Sequence, residues 1–206
     1  MDITSFYFLC FYAALLLLYY VLPRRLQWPL LLAASLFVYG APWHRILLVW
    51  PLAACAAAWG GAQLIRRIGP SGERRGLCRA ILIGDAVILI GILFAFKYIR
   101  YGRDIDVPPG LSFYTFALLG YVIDVYNEIA EPQKNPARVG LYGMYFPLMV
   151  SGPVLRFRED AGQFFEHHAF SYENLTFGLQ RMLYGVAKTI TEHIGESMPY
   201  KSVKKV

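Results

Sequence analysis

Charge is scarce in this sequence. Lys, Arg, Asp and Glu make up 17% of its 206 residues, where soluble domains carry about a quarter. Cysteine is scarcer still: Cys10, Cys55 and Cys78 are the full set, without a CxxC pair or metal-ligand spacing. That excludes a disulfide framework and a zinc site, and leaves inert thiols in apolar or basic surroundings. There is no P-loop, no nucleophile elbow and no HExxH, and neither an internal repeat nor a low-complexity tract. The net charge of +6 does not point to nucleic acid, because Arg66, Arg67, Arg74, Arg75 and Arg79 crowd between two apolar runs. The positive-inside rule collects such residues in cytoplasmic loops.

What the chain has is apolar surface: 57% hydrophobic residues and 16% aromatic. A bilayer core of about 30 Å takes roughly 20 helical residues. Residues 3–22, 46–65, 107–123 and 139–155 carry no charge, and 80–96 carries only Asp85 near its start. The expected fold is therefore all-α, a polytopic transmembrane bundle with short re-entrant or interfacial helices. The first run opens with Asp2, lacks a basic leader and is too long for a signal-peptide core, so it reads as a retained helix.

Helix one, about 3–22, ends at Pro23-Arg24-Arg25. Segments 26–42 and 46–65 form an out-and-back pair flanked by Trp28 and Trp43, which returns the chain to the cytoplasm at Arg66. Ala54, Ala57, Ala58 and Gly61 are small residues suited to close helix packing. A fourth helix covers 80–99 and a fifth 111–126, opened by Pro108-Pro109-Gly110. From Gly140 the apolar sequence is broken by Gly143, Pro147, Gly152 and Pro153. Such backbone survives at membrane depth only where protein or a water-filled cavity satisfies it. Residues 145–155 are thus a candidate re-entrant or cavity-lining element. Residues 156–174 suit an interfacial helix, 175–190 resumes a partly apolar helix, and 191–206 reads as a frayed polar tail after a membrane domain over 1–190.

Intramembrane acids are functional candidates. Asp124 lies near a helix end, so either a hydrogen bond from Tyr121 or a site role fits it. Asp85 is explained by a helix start. Arg156, just past a Gly-Pro break, suits either an anionic head group or interfacial snorkelling. None of His44, His167, His168 and His193 has a partner at catalytic or metal-binding spacing, so no catalytic residue and no metal site is assigned.

Three blocks say more. They are Pro109-Gly110-Leu111-Ser112-Phe113-Tyr114-Thr115-Phe116 running on to Tyr121-Val122-Ile123-Asp124-Val125-Tyr126; Tyr145-Phe146-Pro147 with Ser151-Gly152-Pro153-Val154-Leu155-Arg156-Phe157; and Gly178-Leu179 with Gly185-Val186-Ala187-Lys188. In this order they closely resemble the membrane-bound O-acyltransferase family, in particular its bacterial alginate O-acetyltransferase and lipoteichoic acid D-alanylation branch. The likeness covers about residues 1–190 and is firmest over 107–189.

The resemblance implies a helical bundle pierced by a tunnel in a bacterial-type inner membrane, passing an acyl group to a hydroxyl of an envelope polymer. It implies an acyl thioester as donor rather than a bound cofactor. The implied partners are membrane lipid, the polymer acceptor and an acyl-carrier protein or full-length acyltransferase; nucleic acid is not among them. Asp124, Arg156, Arg158, Tyr121 and Ser112 become substrate-passage or structural candidates, with Pro147, Gly152 and Pro153 as cavity-lining breaks. Family members are roughly twice this length, and their catalytic histidine sits in a Trp- and Gly-rich segment of the C-terminal half. That context is absent here, and a short membrane protein assisting a partner is the alternative from another class.

A plain crossing over 138–155 would set Arg156 across the bilayer from Asp124; a re-entrant path brings them to one side. On the re-entrant path, exchanging the two charges restores melting temperature lost in either single exchange. Purely additive losses would favour the plain crossing.

Overall fold

The computed structural model describes residues 6–40, 45–69, 74–99, 107–148, 157–158, 164–165 and 171–197. Among them there are helices and no strand, as the sequence leads one to expect. The chain divides into two compact units, Met1–Leu22 with His168–Val206, and Pro23–His167.

The larger unit holds α2 (Arg24–Tyr39), α3 (Val49–Ile68), α4 (Arg75–Ile99), α5 (Leu111–Tyr126) and α6 (Pro136–Gly143). Helix α3 is its hub, packing against α4, α5 and α6, while α4 and α5 also touch. The reason lies in its buried face, Pro51, Ala54, Cys55, Ala58, Gly61, Ala62 and Ile65. These recur every three or four residues, on one side of a helix, and all but Ile65 are small enough to let neighbouring backbones approach closely. Ala54, Ala58 and Gly61 do what their spacing predicts; Ala57 is only half-buried.

Helix α5 buries Leu111, Tyr114, Thr115, Leu118, Tyr121, Val122 and Val125 along a similar stripe. It starts where Gly110, at φ 69°, takes the left-handed conformation that glycine enters without steric cost. Its end is a Schellman turn. Glu128 N–H bonds the Val125 carbonyl at 3.1 Å, and Ile129 N–H bonds the Asp124 carbonyl at 2.9 Å. Glu128 holds the position usually given to glycine, at φ 60°.

Helix α6 is capped by Asn135, whose Oδ1 accepts the Ala137 N–H at 2.9 Å, with Pro136 as its first residue. Eight residues span only about 12 Å, far short of a crossing. A 3₁₀ turn, Phe146–Leu148, follows directly.

Two boundaries differ from the sequence reading. Helix α4 begins at Arg75, not at residue 80: the basic run carries no breaker after Gly76, and arginine is itself a good helix former. Asp85 therefore sits in the helix interior, and a helix-start role no longer accounts for it. In the smaller unit α1 is Phe6–Val21 and α7 is Tyr172–Ser197. The last helix thus runs through Ser197, past the expected end at Ile190, into a stretch expected to fray. The reading of 149–156 as part of a re-entrant element, and most of the proposed interfacial helix, lie outside the described residues.

By length and hydropathy one described helix could cross a membrane, over Arg75–Tyr98, and Cys10–Val21 and Leu111–Tyr126 are shorter apolar helices. Helix α4 turns Leu77, Ile83, Val87, Ile88 and Phe94 outward and buries Cys78, Asp85 and Leu89.

A Cβ added at Gly61 would meet the Asp85 carboxylate, with Cγ at 2.7 Å. Gly61→Ala should therefore lower stability by about 1–3 kcal/mol. Asp85→Ala in the same chain should recover most of that loss in thermal unfolding in detergent. Equal losses with and without Asp85 would contradict this contact.

Candidate functional site

The first two motif blocks meet at one point. Phe157, buried, packs its ring 4.5 Å from Tyr121 of α5 and 5.0 Å, edge-on, from Tyr142 of α6. Residue 157 has thus returned to residue 142. Of the breaks singled out in the sequence, Gly143 and Pro147 are described, and Gly152 and Pro153 lie outside the described residues.

The broken backbone is satisfied by protein where it can be seen. Phe146 N–H donates to Ser35 Oγ of α2 at 3.3 Å, while that hydroxyl donates to the Leu31 carbonyl at 2.9 Å. The Leu148 amide closes the 3₁₀ turn on the Tyr145 carbonyl at 3.1 Å. Pro147 stands inside this turn. Gly143 lets α6 close on its neighbours, since a Cβ there would lie 3.0 Å from both Cys55 Sγ and Leu118 Cδ2.

A second convergence fixes the connection after α5. The Gln133 carbonyl accepts Trp59 Nε1–H at 3.0 Å and Gln63 Nε2–H at 2.7 Å, both from α3. The Gln133 N–H donates to the Tyr121 hydroxyl at 3.0 Å. Tyr121 therefore binds a loop peptide, where the sequence suggested the Asp124 side chain as its partner. Tyr121 stands at the centre, with its ring on Phe157 and its hydroxyl on Gln133. Nearby, Tyr142 donates from its hydroxyl to the Ala117 carbonyl at 3.4 Å.

The other candidates scatter. Asp124 is half-buried, and its carbonyl caps the Schellman turn through Ile129 and Ala130. Ser112 is exposed at the start of α5, and Arg158 is exposed beside Phe157. Arg156, His44, His167 and His168 lie outside the described residues. A cavity of about 260 Å³ opens between the ends of α3 and α5, with Arg66, Glu128 and Glu131 around it and Ile65, Val125 and Ile129 as apolar wall. Asp124 does not line it. No group of His, Cys, Asp and Glu among the described residues could hold a metal.

Two further groups have surroundings that their sequence positions do not announce. Asp85 is buried, and its Oδ2 finds no hydrogen-bond partner among the described residues; a misplaced helix start hid it. Arg138, the third residue of α6, places its guanidinium over two aromatic rings. Its ring partners lie far away in sequence, and no local pattern announces them.

Comparison with known proteins bears on the resemblance to membrane-bound O-acyltransferases. The chain is 31% identical over 211 residues to the probable alginate O-acetylase AlgI of Azotobacter vinelandii, covering 92% of this chain and 41% of that protein. It is 31% identical over 193 residues to the probable alginate O-acetylase AlgI of Pseudomonas aeruginosa, covering 84% and 36%. A third, from Pseudomonas syringae pv. tomato, is 28% identical with the same coverage. The likeness to the alginate O-acetylase branch of the family is thereby shown, and the chain spans about two-fifths of its relatives' length. No family model matches the chain, and no solved structure does.

Tyr121→Phe removes the acceptor for Gln133 N–H while keeping the ring on Phe157. It should cost about 1–2 kcal/mol and speed hydrogen exchange at the Gln133 amide. Unchanged exchange there would mean that the hydroxyl does not hold the loop.

Proposed function

We propose that this chain forms the membrane-embedded frame of an O-acyltransferase, one that moves an acetyl or similar acyl group onto hydroxyls of a cell-envelope polysaccharide. The observation carrying this reading is the likeness to probable alginate O-acetylases across 92% of the chain. The packing of Phe157 on Tyr121 and Tyr142 supports it, because it joins two of the motif blocks on which the likeness rests. In this reading the chain crosses a bacterial-type inner membrane several times. The donor is an acyl thioester presented by a carrier or partner protein, and the acceptor is a polymer hydroxyl.

The chain's own residues supply shape rather than proton transfer. Acyl transfer to a hydroxyl needs a base of suitable pKa in reach of the acceptor, and the family places its histidine in a segment without counterpart here. We infer that Asp124, Arg156, Arg158, Tyr121 and Ser112 act in substrate passage or in the frame, and that chemistry requires the remaining part of the enzyme.

The test is acetylation of alginate in a host lacking its own O-acetylase. The chain alone should yield no ester. Coexpressed with the C-terminal part of a relative that bears the catalytic histidine, it should yield ester that disappears when that histidine is replaced. Ester formed by the chain alone after replacement of His44, His167, His168 and His193 would overturn the histidine-based division. Absence of ester in every pairing, with both parts in the membrane, would favour a non-enzymatic accessory protein.

A further inference from the structure

We propose that Arg138, clamped by aromatic rings at the start of α6, is a binding site for a phosphate-type oxyanion at the membrane surface. Its guanidinium carbon lies 4.6 Å from the Phe165 ring centroid and 5.7 Å from that of Trp28. Both contacts belong to the Pro23–His167 unit. Cation–π contact uses the face of the guanidinium, whereas its five N–H donors radiate in the plane. The two rings hold the group in place through attraction to its charge.

One of those donors is stranded. Nε–H is buried and has no hydrogen-bond partner among the described residues. A buried donor on a charged group left without an acceptor costs upwards of about 1–3 kcal/mol, a cost that an oxyanion drawn in against this half-buried side chain would remove. An oxyanion answers the geometry, because the guanidinium fork matches two oxygens of a phosphate in parallel.

Position strengthens the case. Arg138 is the third residue of α6, after the Asn135 cap and Pro136, where unpaired helix amides add positive potential. Trp28 lies in the first turn and a half of α2, after Arg24 and Arg25, and tryptophan marks the head-group level of a bilayer. The proposal therefore sets the clamp at head-group level, near the Arg24–Arg25 end of α2. A phospholipid head group or a soluble phosphate ester would offer the same oxygens. This inference does not depend on acyl transfer.

The probes are phosphatidylglycerol, diacylglycerol and inorganic phosphate, added to the purified full chain in detergent and followed by native mass spectrometry. Phosphatidylglycerol should bind about tenfold more tightly than diacylglycerol, a difference of about 1.4 kcal/mol. Arg138→Gln and Arg138→Lys should each erase that preference, since lysine neither stacks nor forks as arginine does. Trp28→Leu keeps the charge but loosens the clamp, and should give a partial loss. Both charge-retaining variants serve if Arg138→Gln does not fold, as melting temperatures will show. Displacement of the lipid by millimolar phosphate assigns the site to soluble phosphates, and resistance assigns it to lipid; each supports the oxyanion site. Equal binding of both lipids, or an Arg138→Lys chain indistinguishable from the unmodified one, would overturn it.

Discussion

How closely α3 can approach its neighbours sets nearly everything in the Pro23–His167 unit. Between helices in a bilayer the hydrophobic effect offers little, because lipid tails are as apolar as leucine. Association rests on packing and on a few polar contacts. Ala54, Ala58, Gly61 and Ala62 give α3 a face without bulk, and α4, α5 and α6 all close on α3. Gly143 makes the same concession from the side of α6, against Cys55 and Leu118. The contacts of the motif blocks are downstream of this. Tyr121 and Tyr142 can sandwich Phe157 only because α5 and α6 are both drawn onto α3.

Close approach alone would leave the connections loose, and polar groups of α3 take up that task. Trp59 and Gln63 stand next to the small-residue face, one turn apart, and both donate to the Gln133 carbonyl. Tyr121 takes the amide of the same residue. One loop residue is thus held by two helices through both its backbone groups. Away from water, an amide and a carbonyl must each find a partner. Ser35 does the equivalent for Phe146 from α2. Phe146 and Phe157 are thus each tied to the bundle, one through its amide and the other through its ring.

Much of this was legible from residue order, and the failures are specific. Helix α5 runs over Leu111–Tyr126 as expected, because Pro108-Pro109-Gly110 opens it and a polar stretch closes it. The small face of α3 was visible as spacing. The start of α4 was misplaced because arginines between apolar runs read as a loop, although nothing in Arg75–Arg79 opposes a helix strongly except Gly76. That error carried a second one with it, the dismissal of Asp85. The pairing of Tyr121 with Gln133 rather than with Asp124, and of Arg138 with Trp28 and Phe165, was out of reach for another reason. Those contacts depend on where α3 and α2 bring distant backbone, and spacing along one helix says nothing of that.

Asp85 shows what a polar residue contributes when hydrophobicity is uninformative. Apart from Asp85, α4 is apolar around its whole circumference from Ala80 to Phe96, so in lipid no face of it is favoured for burial on hydrophobic grounds. Turning an ionisable group toward hydrocarbon costs about 2.5–3.5 kcal/mol on insertion scales, more than a change among Ile, Leu and Val faces would return. On the proposed reading of α4 as a membrane span, that penalty picks out the observed rotation, in which Asp85 is buried together with Cys78 and Leu89. Inward space exists because residue 61 has no side chain, and the carboxylate fills what a Cβ there would occupy. On that reading glycine on α3 and aspartate on α4 set the rotation of a helix whose other residues leave it undetermined, and Oδ2, without a partner among the described residues, is the residual cost of doing so with a single acid.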